Sequence, residues 1–337
     1  MRINIWEEGE YTYPAAYGFK PNLVTYLHED EEIRECMLIV PGGGYCMVVG
    51  HEGESYAKRF FEQGMNCFVL TYTTDITMSV PLQKQPLLDL SRAIRLIRAN
   101  AASFHIDPAK ICIIGSSAGG HLCATSCTHF EDAEETNPKY KDYSARPDAA
   151  ILCYPVITAG PYTHPESIYS LVGYEATEAE RDYFSLEKQV KPNTPPCFLW
   201  HTLGDGLVPA ENSYLFAVAL RENKIPAAQY FFPAGDHGLA LADEDHFRGV
   251  GGGEYTFEQL NLALEAVKSG KGVNVSQRRK DELMVQFFGS VNPEEKKDEP
   301  EEKQEKPAFP APANLNPYPD VRMWPNLARC WLDRIFS

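Results

Sequence analysis

Lys110-Ile111-Cys112-Ile113-Ile114-Gly115-Ser116-Ser117-Ala118-Gly119-Gly120-His121 decides how this chain folds. Its first half is an apolar, β-branched run that reads as a strand, and its second half is small and leads into a helical stretch. A G-x-S-x-G at a strand-to-helix turn is the pattern of a nucleophile elbow. There the serine takes a strained backbone conformation that lifts its hydroxyl above the sheet, and small residues are needed two positions to either side. Ser117 has Gly115 and Gly119 at those positions, whereas Ser116 has the bulky Ile114 two residues before it.

Outward from the elbow, short apolar runs alternate with helical patterns. Residues 37–40, 67–72, 110–115, 149–155, 197–202 and 228–233 read as strands, with 22–28 an earlier, antiparallel one. That alternation predicts an α/β fold, a mostly parallel central sheet with helices on both faces. Leu87, Leu90, Ile94, Ile97 and Ala101 recur at helical spacing and form one apolar stripe. A last helix over about 324–336 brings Leu327, Trp331 and Ile335 onto one face. The whole of 1–337 reads as a single domain with two interruptions. Residues 158–192 are too long for a simple connection and read as a lid or pocket wall. Residues 243–316 hold helical patterns at 256–268 and 278–288, then a stretch at 293–306 with seven acidic and four basic residues and nothing apolar to bury. That stretch reads as disordered.

A serine hydroxyl is a weak nucleophile until a base takes its proton and a carboxylate orients the base. Asp205 follows the strand at 197–202, and His237 follows the next strand, so both fall on loops at the carboxyl edge of the sheet beside the elbow. Asp236 is a rival acid, a poorer one because adjacent side chains rarely aim at each other. His121, behind the elbow, and His201, within a strand, read as hydrogen-bonded structural residues. The oxyanion formed by an attacking serine needs fixed donors. Pro41-Gly42-Gly43-Gly44-Tyr45 follows the strand at 37–40, and its bare glycines let backbone amides approach a substrate oxygen, which assigns the hole to the amides of Gly43, Gly44 and Ala118. A phosphate cradle would need a Walker lysine or a G-x-G-x-x-G running into a helix, and the sequence has neither. His51-Glu52 lacks the second histidine of a zinc helix, so no metal and no other cofactor is expected. Glu52 reads as a solvated helix start, with an approach to the pocket as the alternative. Tyr45, Tyr154 and Trp200 stand near the carboxyl ends of strands, where they either stack on a sugar ring or pack in the core.

Composition narrows the partners. The 337 residues carry 31 Lys plus Arg against 47 Asp plus Glu, a net charge of −16. This balance repels a phosphate backbone and argues against nucleic acid. No run reaches the ~18 apolar residues of a membrane span, and residues 1–10 show no basic cap before an apolar core, so a cytoplasmic location is expected. Cys67, Cys112, Cys153 and Cys197 lie in apolar runs and read as small buried hydrophobes of a reducing compartment.

Taken together, residues 41–45, Gly115 to His121, Tyr154-Pro155, Trp200 to Asp205, Gly235 to Leu239 and residues 324–332 resemble the esterase/lipase branch of the α/β hydrolases. More narrowly they resemble the acetyl xylan and feruloyl esterase-like carbohydrate esterases. The resemblance covers about 12–242 and 318–336. It implies the α/β-hydrolase fold, Ser117 as nucleophile, Asp205 as acid and His237 as base, with the oxyanion amides named above. Pro41 stands where lipases carry histidine, which weakens a lipase reading, and 243–316 is longer than the family's usual link to its last helix. The expectation is a serine esterase removing short acyl groups, acetyl foremost, from small-molecule or oligosaccharide esters, with no nucleic acid or membrane partner. Its rivals are an amide hydrolase of formamidase or peptidase type and a binding protein that has lost catalysis on the same fold.

Overall fold

The computed structural model describes residues 1–250, 252–289 and 316–337. The acidic stretch at 293–306 lies outside the described residues. Eight strands form one sheet: β1 (Arg2–Asn4), β2 (Asn22–Tyr26), β3 (Arg34–Val40), β4 (Asn66–Thr71), β5 (Ile106–Ser116), β6 (Ala149–Cys153), β7 (Cys197–Thr202) and β8 (Ala227–Phe232). Their order across the sheet is β1-β2-β4-β3-β5-β6-β7-β8. The β1–β2 and β2–β4 pairs are antiparallel, and every pair from β4 to β8 is parallel. The helices are α1 (Gly50–Glu62), α2 (Gln85–Ala99), α3 (Ala118–His129), α4 (Pro165–Val172), α5 (Glu178–Tyr183), α6 (Glu211–Glu222), α7 (Glu244–Phe247), α8 (Glu258–Lys268), α9 (Gln277–Phe288) and α10 (Trp324–Ile335).

Successive strand side chains point to opposite faces, and in β3 to β7 both faces are apolar because helices cover both. Leu38, Phe68, Ile113 and Leu152 join one core with Leu90, Ile94 and Ile97 of α2 and Phe216 of α6. Ile39, Val69, Ile114 and Ile151 join the other with Tyr56 and Phe60 of α1 and Trp324 and Trp331 of α10. Cys67, Cys112, Cys153 and Cys197 are buried within these two cores, as their apolar settings imply. A third, smaller cluster joins Ile76 to Leu260 and Leu264 of α8, Val275, and Leu283 of α9, with Cys46 and Met47 packed at its edge. Both α8 and α9 belong to the stretch after residue 243, and α4 and α5 belong to the earlier interruption. β5 lies in the interior of the sheet, between β3 and β6, so the turn that follows it opens at the middle of the carboxyl edge. Among the described residues no helix is long and apolar enough to cross a membrane.

Candidate active site

Ser117 caps the amino end of α3 with φ 53° and ψ −119°, a region that side-chain-bearing residues rarely occupy. Three backbone bonds hold it there: its N–H donates to the Cys153 carbonyl at 3.0 Å, and its carbonyl accepts from His121 at 3.0 Å and Val156 at 3.1 Å. The flanking glycines are sterically required, since a Cβ on Gly119 would collide with the carbonyl oxygens of Val40 and Pro41. Ser116 points away into the structure, where its Oγ pairs with the Tyr56 hydroxyl at 2.9 Å.

His237, on the loop after β8, places Nε2 2.8 Å from the Ser117 Oγ and Nδ1 2.7 Å from Asp205 Oδ2. A carboxylate only accepts, so Nδ1 carries the proton and Nε2 is left to accept from the serine hydroxyl. Asp205 is itself fixed by the amides of Leu207 at 3.0 Å and Val208 at 2.9 Å, which both donate to Oδ1. Burial pushes the Asp205 carboxyl up, but hydrogen bonds from His201, His237 and the Val208 amide outweigh it and hold the group well below the usual carboxylate range. Asp236 is exposed, and Asp205 is the carboxylate that meets the imidazole. The relay runs from a side chain fully shielded from water at Asp205 to one 15% exposed at His237. Such an arrangement can draw a proton from a hydroxyl and stabilise the imidazolium that results.

The glycine loop after β3 faces the serine. Gly43 and Gly44 take φ of 126° and 64°, and the Gly43 carbonyl accepts from Cys46 at 3.0 Å and Met47 at 3.2 Å. Among the described residues the amides of Gly43, Gly44 and Ala118 donate to no protein acceptor, so they are free to meet a substrate oxygen.

Two residues outside the predicted triad and glycine loop hold the site together. Glu52 is not a solvated helix start: it is buried at 3% exposure, with Oε2 accepting from the Gly42 amide at 2.6 Å and Oε1 from the Tyr154 hydroxyl at 2.8 Å. The Tyr154 oxygen also accepts from the Ala240 amide at 3.2 Å, and its ring meets His237 edge-on at 5.1 Å. One carboxylate thus ties the glycine loop to the loop that carries the histidine. His201, read as structural, does touch the relay. Its Nε2 lies 2.9 Å from the Val208 carbonyl and 3.2 Å from Asp205 Oδ2, both acceptors, so it donates to both while Nδ1 accepts from Ser213 at 2.8 Å. His121 is structural as read, bonded to the Tyr45 hydroxyl at 2.8 Å and the Phe184 carbonyl at 3.0 Å.

The expectation that Tyr45, Tyr154 and Trp200 stack on a sugar is corrected: they are 1%, 2% and 0% exposed and offer no ring face to a ligand. Trp200 instead stacks on Trp324 of α10 at 5.4 Å, and the Trp324 indole N–H donates to the Ala240 carbonyl at 2.8 Å. The last helix therefore anchors the histidine loop. From the other side comes α4, where Ser167 accepts or donates at 2.9 Å to His164 Nδ1. Burial pulls the His164 imidazole below the usual histidine range, with the Glu166 carboxylate working against it.

Comparison with known proteins agrees with this geometry. Residues 24–220 match the family model described as BD-FAE. The chain is 59% identical over 267 residues to the endo-1,4-beta-xylanase B of Butyrivibrio fibrisolvens, an alignment spanning 79% of this chain and 42% of that protein. It is 30% identical over 231 residues to an acetylxylan esterase of Xylanibacter ruminicola, spanning 66% of this chain and 44% of that one. The chain thus spans less than half the length of either curated relative. Among solved structures, an acetyl ester-xyloside bifunctional hydrolase from Caldicellulosiruptor lactoaceticus superposes with a TM-score of 0.67 at 34% identity, covering 81% of this chain and 97% of that one. The sheet order, the serine turn at its carboxyl edge and a family match over more than half of the chain lead to one conclusion: the protein is an α/β hydrolase and belongs to the BD-FAE family.

Proposed function

We propose that this protein is a serine esterase that removes short acyl groups, acetyl foremost, from carbohydrate esters. The observation that carries the reading is the 2.8 Å contact between the Ser117 Oγ and His237 Nε2 at a strained turn open to the glycine loop. Ser117 attacks the ester carbonyl as His237 takes its proton, and Asp205 holds the imidazole in the accepting tautomer and stabilises its charge. The carbonyl oxygen, now an oxyanion, is met by the amides of Gly43, Gly44 and Ala118. Collapse expels the sugar alkoxide, which leaves with the proton held on His237. Water then enters on the same path and releases the acid from Ser117.

The names of the relatives support a xylan-related substrate, and two of them are named for acetyl esters. The relative named for xylanase activity shares only part of its length with this chain. Glycosidic cleavage needs two carboxyl groups flanking the bond, about 5 to 9.5 Å apart. The relay here has one carboxylate, and it stands behind a histidine. The test is a hydrolysis panel of acetyl, butyryl, octanoyl and feruloyl esters, acetylated xylo-oligosaccharides and N-formylkynurenine. Acetyl esters should give the highest kcat/KM. Faster cleavage of the formamide, or of octanoyl over acetyl, would overturn the proposal.

A further inference from the structure

Strand β7 runs through the interior of the sheet, and up to Trp200 its buried side chains are those of Cys197, Phe198, Leu199 and Trp200. His201 breaks that run. Its side chain is fully shielded from water, as is that of Asp205, and burying an imidazole is unfavourable unless its nitrogens find partners. An aliphatic side chain fills such a place without that cost. Both nitrogens of His201 are met. Nε2 lies between two groups that only accept, the Val208 carbonyl at 2.9 Å and Asp205 Oδ2 at 3.2 Å, so Nε2 carries the proton. Ser213, in the first turn of α6 and equally buried, donates its hydroxyl to Nδ1 at 2.8 Å and fixes that tautomer.

This placement ties the acid to the sheet. His201 holds the loop after β7 at two points, the Asp205 carboxylate and the Val208 carbonyl, from a strand paired on both sides by β6 and β8. The next residue does the same for the loop that carries the histidine base: the Thr202 hydroxyl donates to the Gly235 carbonyl at 2.9 Å. Asp205 then has four donors, the Leu207 and Val208 amides on Oδ1 and the two imidazoles on Oδ2, which fills the acceptor sites of one carboxylate. On Oδ2 the two histidines share one charge. What His201 takes up is withdrawn from His237.

The groups that face His237 are Asp205 at 2.7 Å, Ser117 at 2.8 Å and the Tyr154 ring at 5.1 Å, with Glu52 behind the Tyr154 hydroxyl. His164 at the start of α4 acts on it by charge without a hydrogen bond, and Asp236 beside it is exposed. His201 reaches the imidazole through Asp205.

Resting on the serine relay given above, we propose that His201 is a positioning residue: it holds Asp205 against His237 and takes up part of the carboxylate's charge, which keeps the His237 imidazole from retaining its proton to higher pH. The test measures kcat/KM against pH on p-nitrophenyl acetate for wild type, His201→Phe, His201→Gln, Ser213→Ala and Asp205→Asn, with the folded fraction of each read from urea unfolding. His201→Phe keeps a ring and removes the donor. With Oδ2 left to His237 alone, the acid limb should move up by about one pH unit, and kcat on the plateau should fall about tenfold as the loop loses its tether. His201→Gln, whose amide nitrogen donates in the place of Nε2, should return the limb to its wild-type position. Ser213→Ala frees the tautomer and should move the limb in the same direction by less, which keeps the test open if His201→Phe does not fold. A limb at the wild-type position in every folded variant of His201 and Ser213 would overturn the proposal even with turnover lowered, because a merely structural histidine changes the amount of active enzyme and not its profile. So would a limb displaced as far in His201→Gln as in His201→Phe. Wild-type turnover in Asp205→Asn would overturn the relay itself and this inference with it, whereas a large loss there beside unmoved limbs overturns the role of His201 alone.

Discussion

Replacing Glu52 by alanine should separate loop positioning from simple stability. The substitution leaves two buried donors, the Gly42 amide and the Tyr154 hydroxyl, without the carboxylate they meet at 2.6 Å and 2.8 Å. Each unsatisfied group costs ~1–3 kcal/mol. Removing a carboxylate that is buried without a salt-bridge partner recovers part of that, so the net loss of stability should be about 1–3 kcal/mol. The effect on turnover has a different origin. Gly42 precedes the two amides assigned to the oxyanion, and a misplaced oxyanion donor costs ~10²–10³ in kcat. Glu52→Ala should therefore lower kcat on p-nitrophenyl acetate by about 10²-fold with KM within about threefold of wild type. Glu52→Gln should restore kcat to within about tenfold, because its carbonyl keeps the Gly42 amide and its amide group can donate to the Tyr154 oxygen. Urea unfolding run beside the kinetics fixes the folded fraction. A folded Glu52→Ala protein whose kcat stayed within about threefold of wild type would refute the argument that this carboxylate aims the glycine loop.

Ser117→Ala should lose on the order of 10⁴-fold or more in kcat, while Ser116→Ala, which gives up only a bond to Tyr56, should stay within about tenfold; the reverse ranking in the same ester assay would contradict the elbow assignment. Gly119→Ala should fail to fold or lose most of its stability in urea, because its Cβ meets the Val40 and Pro41 carbonyls; wild-type stability would show that the turn can relax. Burial pulls the His121 imidazole down to about 4, against 6.5 in the unfolded chain. Between those values the unfolded state binds a proton that the native state refuses, so stability is full above 6.5 and falls as pH drops from 6.5 toward 4, the loss reaching about 2 kcal/mol at pH 5. His129 and His246, both lowered to about 4, act in the same direction. Urea midpoints at pH 7.5 and pH 5 should differ less in His121→Gln than in wild type, and an unchanged difference would count against the buried neutral imidazole.

What the sequence revealed, it revealed locally. The strands from residue 37 to residue 232 were legible because both faces of a covered parallel sheet are apolar, and the elbow because its glycines answer to contacts within a few residues and to the adjacent strand end. Asp205 and His237 followed from their places just past two neighbouring strands. Glu52 was misread because its burial is made by Gly42 and Tyr154, 10 and 102 residues away, and no helix-start pattern encodes such a pairing. Tyr154 and Trp200 were offered to a sugar because position along a strand says nothing about what covers the face they point to; here α10, far along the chain, supplies Trp324. The three residues of β1 carry too short a pattern to be read before their partner strand is known.

Cooperative units within one protein open at different free energies, set largely by how much apolar surface each buries. The cluster beneath α8 and α9 is the smallest of the three, yet Cys46 and Met47 of the glycine loop rest on it, and Met47 holds the Gly43 carbonyl. Turnover accordingly has a melting temperature of its own. Warming that loosens this unit releases the loop while the two large cores still hold the sheet, so the protein should fall silent before it unfolds and recover its activity on cooling.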